Sequence, residues 1–237
     1  MSSAAAIAAR TRRIAKIIPR HTAFFCCDIQ ERFRLVVHGY PSVIHTAEKM
    51  LKAAKILDIP VIATEQYPKF LPPPENDGSE GPQTALVPLA ETSPLPPLLD
   101  LEVPTLRPHW VPLAKTAFSM IVPEIDQQIK EWDTRSVVLF GIESHVCVLQ
   151  TAFDLLERDI DVHVLADGIS SVNGDEVGLA IKRMRDAGAH ITTSESVLFQ
   201  ILQDANDPRF RALAGLVTEY KKDTKQALEF LIAGRAL

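Results

Sequence analysis

Residues 137–152 read Val-Val-Leu-Phe-Gly-Ile-Glu-Ser-His-Val-Cys-Val-Leu-Gln-Thr-Ala, and this stretch decides how the chain is expected to fold. The four apolar residues before Gly141 predict a strand covered on both faces, with a tight turn at the glycine. Ser144 is a plausible N-cap for the following helix, which places Cys147 at the third helical position. Unpaired backbone N–H groups and the helix dipole favour a thiolate there, so Cys147 is a candidate nucleophile. Cysteine is also a small apolar residue that is often merely buried, and position alone does not separate the two interpretations.

The composition limits what the protein can be. Its 237 residues suit a single large domain spanning 1–237. A net charge of -5 argues against a nucleic-acid partner, and no apolar run reaches the roughly 18 residues of a membrane span. Three cysteines, two of them adjacent, make no disulfide framework and predict a reducing compartment, the cytoplasm. A basic N-terminus with no acid in residues 1–20 leaves a mitochondrial location open.

Short apolar runs alternate with amphipathic stretches along the chain, a pattern typical of repeated βαβ units. We therefore predict an α/β fold with a mostly parallel sheet. The predicted strands cover residues 22–28, 59–64, 110–114, 137–140, 162–166 and 190–192. The predicted helices cover residues 42–57, 123–132, 145–158, 175–187, a segment from Ser194, and the C-terminal stretch 207–235 as two helices, 207–219 and 222–235.

One segment interrupts this alternation, because residues 68–112 contain 12 of the chain's 17 prolines. Proline removes backbone donors and fixes φ, so a proline-rich excursion at about 71–109 is expected in place of a regular element. Its apolar residues at 85–101 are too many for a free linker. The excursion is therefore expected to pack on the domain or on a partner subunit.

Two apolar segments exceed what the helices of one sheet need to cover. They are residues 85–101 and the C-terminal helix face formed by Leu213, Leu216, Val217 and Tyr220. Large apolar surfaces usually mark interfaces, so we expect a homo-oligomer, either a dimer or a larger even assembly. The alternative is that both segments fold back over their own subunit.

An activated cysteine needs a proton acceptor and a nearby positive charge. Asp28 ends the first predicted strand and would lie on the same sheet edge as Cys147, and Lys115 follows the third predicted strand. Taken singly, Asp28 could be a turn cap and Lys115 a surface residue, but together with Cys147 they suffice for cysteine-dependent hydrolysis. His145 lies two residues from Cys147 and points to another side of the helix, so we expect it beside the site rather than in it.

Three motifs in order carry a resemblance to a known family. They are Cys-Asp-Ile-Gln-Glu-Arg-Phe around Asp28, Leu-Ala-Lys-Thr-Ala-Phe-Ser-Met around Lys115, and Gly-Ile-Glu-Ser-His-Val-Cys-Val-Leu-Gln-Thr-Ala around Cys147. Over roughly residues 20–205 the chain resembles the isochorismatase-like cysteine hydrolases, most closely the eukaryotic isochorismatase domain-containing proteins. The resemblance implies a three-layer α-β-α sandwich around a parallel sheet of about six strands. It also implies that the three named residues form a catalytic triad.

The resemblance further implies an oxyanion hole and a site without metal. The backbone N–H groups of Glu143 and Cys147 would form the hole, with a cis peptide bond between Ile142 and Glu143. The family's nicotinamidases bind a metal through an Asp-x-His motif after the second strand, where this chain has Glu-Gln-Tyr, so no catalytic metal and no cofactor are expected. The side chains predicted to line the substrate pocket are Phe33, Glu65, Gln66, Tyr67 and Phe118.

The predicted function is hydrolysis of a small molecule at an amide or related acyl C–N bond, through a thioester intermediate. The presence of Cys147 favours this chemistry over that of the isochorismatases, which cleave a vinyl ether without needing the thiol. The alternative is a catalytically weak protein of the same fold with a binding or regulatory role, since a fold does not determine a function.

Overall fold

A computed structural model describes residues 16–66 and 112–233. The strands are β1 Thr22–Cys27, β2 Val61–Gln66, β3 Leu113–Lys115, β4 Ser136–Ile142, β5 Asp161–Ser170 and β6 His190–Thr192. The α-helices are α1 Tyr40–Leu57, α2 Pro123–Glu131, α3 Leu149–Glu157, α4 Gly174–Asp186, α5 Ser194–Leu202, α6 Phe210–Glu219 and α7 Lys221–Leu231. A single π-helical turn, Ser144–Val148, leads from β4 into α3.

All six strands lie in one parallel sheet in the order β3-β2-β1-β4-β5-β6, which confirms the predicted α/β class. Every residue of β1 is buried, because helices cover the sheet on both faces. Phe24 faces a core built with α1, α5, α6 and α7, whereas Phe25 faces a core built with α2, α3 and α4. The result is the three-layer sandwich that the resemblance implied.

The strand β4 is longer than predicted and contains Gly141, so the prediction of a tight turn at this residue was wrong. Gly141 has φ +122°, and a Cβ atom on it would lie 2.1 Å from the carbonyl oxygen of Cys27. The glycine is therefore needed because β1 approaches its backbone closely.

Ser144 is the first residue of the π turn rather than its N-cap, so that prediction was also wrong. The cap position belongs to Glu143, whose carbonyl oxygen accepts from the N–H groups of Val146 and Val148, each at 3.1 Å. The Ser144 hydroxyl is fully buried and has no hydrogen-bond partner among the described residues. Cys147 is therefore the fourth residue of this turn and not the third, although it still lies in the first turn after β4.

The C-terminal helices pack on their own subunit. Leu213, Leu216 and Tyr220 are buried against α1, and Val217 packs on the same core. This corrects the expectation that they form an exposed face, because they supply part of the layer that covers the sheet. The whole excursion at 71–109, including residues 85–101, lies outside the described residues. In the described part of the chain, no helix combines the length and apolarity needed to cross a bilayer.

Candidate active site

The predicted site residues meet at the carboxyl edge of the sheet. Asp28 directly follows β1, Gln66 ends β2 and Lys115 ends β3. Cys147 lies on the turn that follows β4. In an open parallel sheet this edge is where ligands bind, because loops and helix starts converge there.

Asp28 and Lys115 form a buried ion pair. Lys115 Nζ donates to Asp28 Oδ2 at 2.7 Å, and the two side chains are 0% and 2% exposed. The other carboxylate oxygen, Oδ1, accepts from the Thr64 hydroxyl at 2.8 Å. The pair thus carries no net charge, and hydrogen bonds hold the carboxylate in one orientation.

Lys115 is held by more than its carboxylate partner. Its ammonium group also lies within hydrogen-bond distance of Gln66 Oε1 at 2.7 Å and of the Ala117 and Phe118 carbonyl oxygens at 3.1 and 3.0 Å. An ammonium group has three protons, so these acceptors compete for them and surround the charge. The lysine is therefore a fixed buried cation rather than a surface residue.

Gln66 orients Lys115 through its amide group. Its Oε1 accepts from Lys115 while its Nε2 donates to the Thr116 carbonyl oxygen at 3.1 Å. The Gln30 side chain in turn pairs with the backbone of Gln66, accepting from its N–H at 3.0 Å and donating to its carbonyl at 3.2 Å. Gln66 was predicted only as a residue that lines the pocket. Its contact with the lysine of the ion pair was not evident from its position in the sequence.

Cys147 is 6% exposed, and its Sγ lies 4.0 Å from Gln66 Oε1. Its neighbour Cys27 has its Sγ 3.5 Å from Asp28 Oδ2. Burial raises the pKa of Cys27 well above its ordinary value, and burial with the nearby Asp28 raises that of Cys26 to about 12. Sequence reasoning missed Cys27 as a neighbour of the nucleophile, although alternation along β1 points it toward the layer that contains α3.

The predicted oxyanion hole lies on the turn after β4. The peptide bond between Ile142 and Glu143 is cis. Among residues 16–66 and 112–233, the backbone hydrogen bonds of turns, loops and caps include none that is donated by the N–H group of Glu143 or of Cys147. The Glu143 carboxylate points elsewhere, since its Oε2 accepts from Val172 N–H at 2.9 Å. That bond ties the turn to the loop after β5.

The remaining residues predicted to line the pocket differ in their surroundings. Phe33 packs against the core on the α1 side of the sheet, under the guanidinium of Arg32. Glu65 is half-buried at the end of β2, where burial and the neighbouring Asp28 raise its pKa. The Phe118 side chain is 51% exposed beside its carbonyl in the lysine site. Tyr67 lies outside the described residues.

His145 lies beside the site. Its Nδ1 is 2.9 Å from the hydroxyl oxygen of Ser171, in the loop after β5. Within the described residues, no three His, Cys, Asp or Glu side chains are grouped so that they could hold a metal ion.

Comparisons with known proteins match this architecture. The Isochorismatase domain family model matches residues 22–196. The chain is 36% identical over 220 residues to isochorismatase domain-containing protein 2 of Homo sapiens, covering 92% of this chain and 93% of that protein. It is 37% identical over 220 residues to the secreted isochorismatase effector Isc1 of Phytophthora sojae, covering 92% and 94%.

Solved structures show the same fold. A structure described as MAR1 ribonuclease from Caenorhabditis elegans has a TM-score of 0.68 at 36% identity, covering 86% of this chain and 93% of that chain. The YcaC gene product of Escherichia coli, an octameric hydrolase of unknown specificity, has a TM-score of 0.71 at 19% identity and covers 92% and 96%. At the latter identity the likeness shows the fold alone. Because the family model matches most of the length of this chain, the chain belongs to the isochorismatase family and carries a hydrolase fold.

Proposed function

We propose that the protein hydrolyses a small molecule at an amide or related acyl C–N bond, with Cys147 as nucleophile. The observation that carries this proposal is the buried ion pair of Asp28 and Lys115 at the sheet edge where Cys147 lies. A buried carboxylate held by a fixed cation, next to a thiol in the first turn of a helix, supplies a base, a positive charge and a nucleophile.

In the first half of the reaction, Asp28 accepts the proton of the Cys147 thiol. The thiolate attacks the substrate carbonyl carbon, and the negative charge on its oxygen is stabilised by the N–H groups of Glu143 and Cys147. The C–N bond then breaks as Asp28 returns the proton to the departing nitrogen. An amine or ammonia leaves, and the acyl group remains on sulfur as a thioester.

In the second half, Asp28 accepts a proton from a water molecule that attacks the thioester carbonyl carbon. The carbon–sulfur bond breaks, a carboxylic acid is released and the proton returns to Cys147. Throughout both halves, Lys115 keeps its positive charge beside Asp28 Oδ2 and favours the carboxylate form of the base.

Thiol labelling tests the nucleophile before any substrate is known. Partial alkylation with iodoacetamide at pH 7, followed by peptide mass spectrometry, should modify Cys147 much faster than Cys26 or Cys27. The reason is that burial raises the pKa of both strand cysteines. Equal labelling of the three thiols contradicts the proposal.

The reaction itself is tested with a panel of small amides and carbamoyl compounds. We expect turnover by the wild-type protein and a loss of at least about 10³-fold in Cys147→Ala and Asp28→Asn. A short RNA belongs in the panel because a relative is described as a ribonuclease. RNA cleavage that survives in Cys147→Ala, with no amide hydrolysis, would overturn the proposal.

A further inference from the structure

The loop after β3 holds the charged end of Lys115. Its Ala117 and Phe118 carbonyl oxygens lie 3.1 and 3.0 Å from the lysine ammonium group. Two residues later the loop turns inward at Met120, which is fully buried. The position of this loop therefore determines where the lysine charge lies.

Thr151 connects that loop to the turn that carries the nucleophile. Its hydroxyl oxygen accepts from Met120 N–H at 2.9 Å, and the same hydroxyl donates to the Cys147 carbonyl oxygen at 2.7 Å. Thr151 lies in α3 and is 0% exposed. One buried hydroxyl thus uses its donor and an acceptor position to join the loop at Met120 to the turn at Cys147.

We infer that Thr151 is a positioning residue that holds the Cys147 backbone in register with the loop around Lys115. The inference rests on the proposed function, in which the thiol must lie close to the charged pair. A valine side chain has nearly the same shape, but it would leave Met120 N–H without its acceptor and would remove the side-chain donor to the Cys147 carbonyl oxygen. Removal of the hydroxyl frees the two segments to shift against one another, and a small displacement between reacting groups lowers the rate strongly.

The chain offers a matched control. Thr46 in α1 is also buried, and its hydroxyl donates to the Asp167 carbonyl oxygen at 2.8 Å in the core on the other face of the sheet. Thr46→Val removes a buried threonine hydrogen bond without touching the loop of Lys115 or the turn of Cys147. Any general effect of such a deletion on folding should appear in this variant too.

The experiment measures the iodoacetamide rate at Cys147 as a function of pH in Thr151→Val, Thr151→Ser, Thr46→Val and the wild type, with urea unfolding of each. We expect Thr151→Val to react about tenfold more slowly at pH 7, with the midpoint of its pH profile moved upward. Thr151→Ser should stay within about twofold of the wild type because it keeps the hydroxyl. Thr46→Val should lose stability but keep the wild-type profile.

A wild-type profile in Thr151→Val, or an equal slowing in Thr46→Val, overturns the inference. If valine prevents folding, Thr151→Ala makes the same comparison with a smaller side chain. The two hypotheses fail in different ways. Slow labelling of Cys147 in the wild type refutes the proposed nucleophile, whereas fast labelling in both the wild type and Thr151→Val refutes only the role of Thr151.

Discussion

Replacement of Lys115 by methionine tests whether the ion pair is the electrostatic centre of the site. Methionine retains much of the length and apolar volume of the lysine stem. The change removes the charge that Asp28 contacts at 2.7 Å, while the Thr64 hydroxyl and the Cys27 thiol stay as donors to the carboxylate. Three further acceptors, on Gln66 and in the loop after β3, lose their donor as well.

The magnitude follows from the burial of the pair. Both side chains are at most 2% exposed, so the abandoned Asp28 carboxylate cannot recover its hydration. Removal of one partner from such a pair typically costs about 3–5 kcal/mol. In a domain of this size that lowers Tm by about 10 °C. Replacement of both partners, in Asp28→Asn with Lys115→Met, removes the uncompensated charge and should recover most of the loss.

Urea unfolding followed by circular dichroism at pH 7 measures this for the wild type, both single variants and the double variant. We expect a coupling free energy of about 2–3 kcal/mol between the two positions. A Lys115→Met protein within about 1 kcal/mol of the wild type would refute the reasoning, as would a double variant in which the single losses simply add. Either result would mean that water or a neighbouring group compensates Asp28.

Three further predictions concern other parts of the molecule. Gly141→Ala should prevent folding or cost more than about 4 kcal/mol, because its Cβ would meet the Cys27 carbonyl oxygen at 2.1 Å; Gly178→Ala in α4, with nothing within 4 Å, is the control in yield and Tm. Burial raises the pKa of Glu48 from 4.5 to about 7, so the folded protein holds a proton that the unfolded chain has lost, and stability falls as pH rises through this window. In Glu48→Gln this fall, which is at most about 3 kcal/mol, should disappear. The prediction is contradicted if the free energy of unfolding in urea changes by the same amount between pH 5 and pH 8 in the variant and in the wild type. Light scattering should show a homo-oligomer, and a particle of 26.2 kDa would exclude it.

Local patterns were sufficient to predict much of the site. A buried apolar run followed by a polar residue identifies the carboxyl end of a strand, and this signal correctly located Asp28, Lys115 and Cys147 at one sheet edge. It succeeds because parallel strands align their ends, so side chains far apart in sequence share an edge once the strand order is known.

The same patterns misjudged features that depend on a neighbouring segment. Gly141 looked like a turn, since nothing nearby in sequence shows that β1 presses against it. The apolar face of α6 looked exposed, because its partner α1 lies more than 150 residues earlier in the chain. Sequence periodicity gives the face of a helix that is apolar but not the element that covers it.

The order of strands and helices, the parallel sheet and the residue types at its edge were determined by the sequence itself, because burial on two faces and helix amphipathicity are written in local composition. Only the tertiary structure decided how those residues are connected. Lys115 meets Asp28 across 87 positions in the sequence, and Thr151 meets Met120, in the loop of Lys115, across 31. Such contacts require hydrogen-bond directions and distances that are set to within about a few tenths of an ångström. That geometry exists only after the layers have packed.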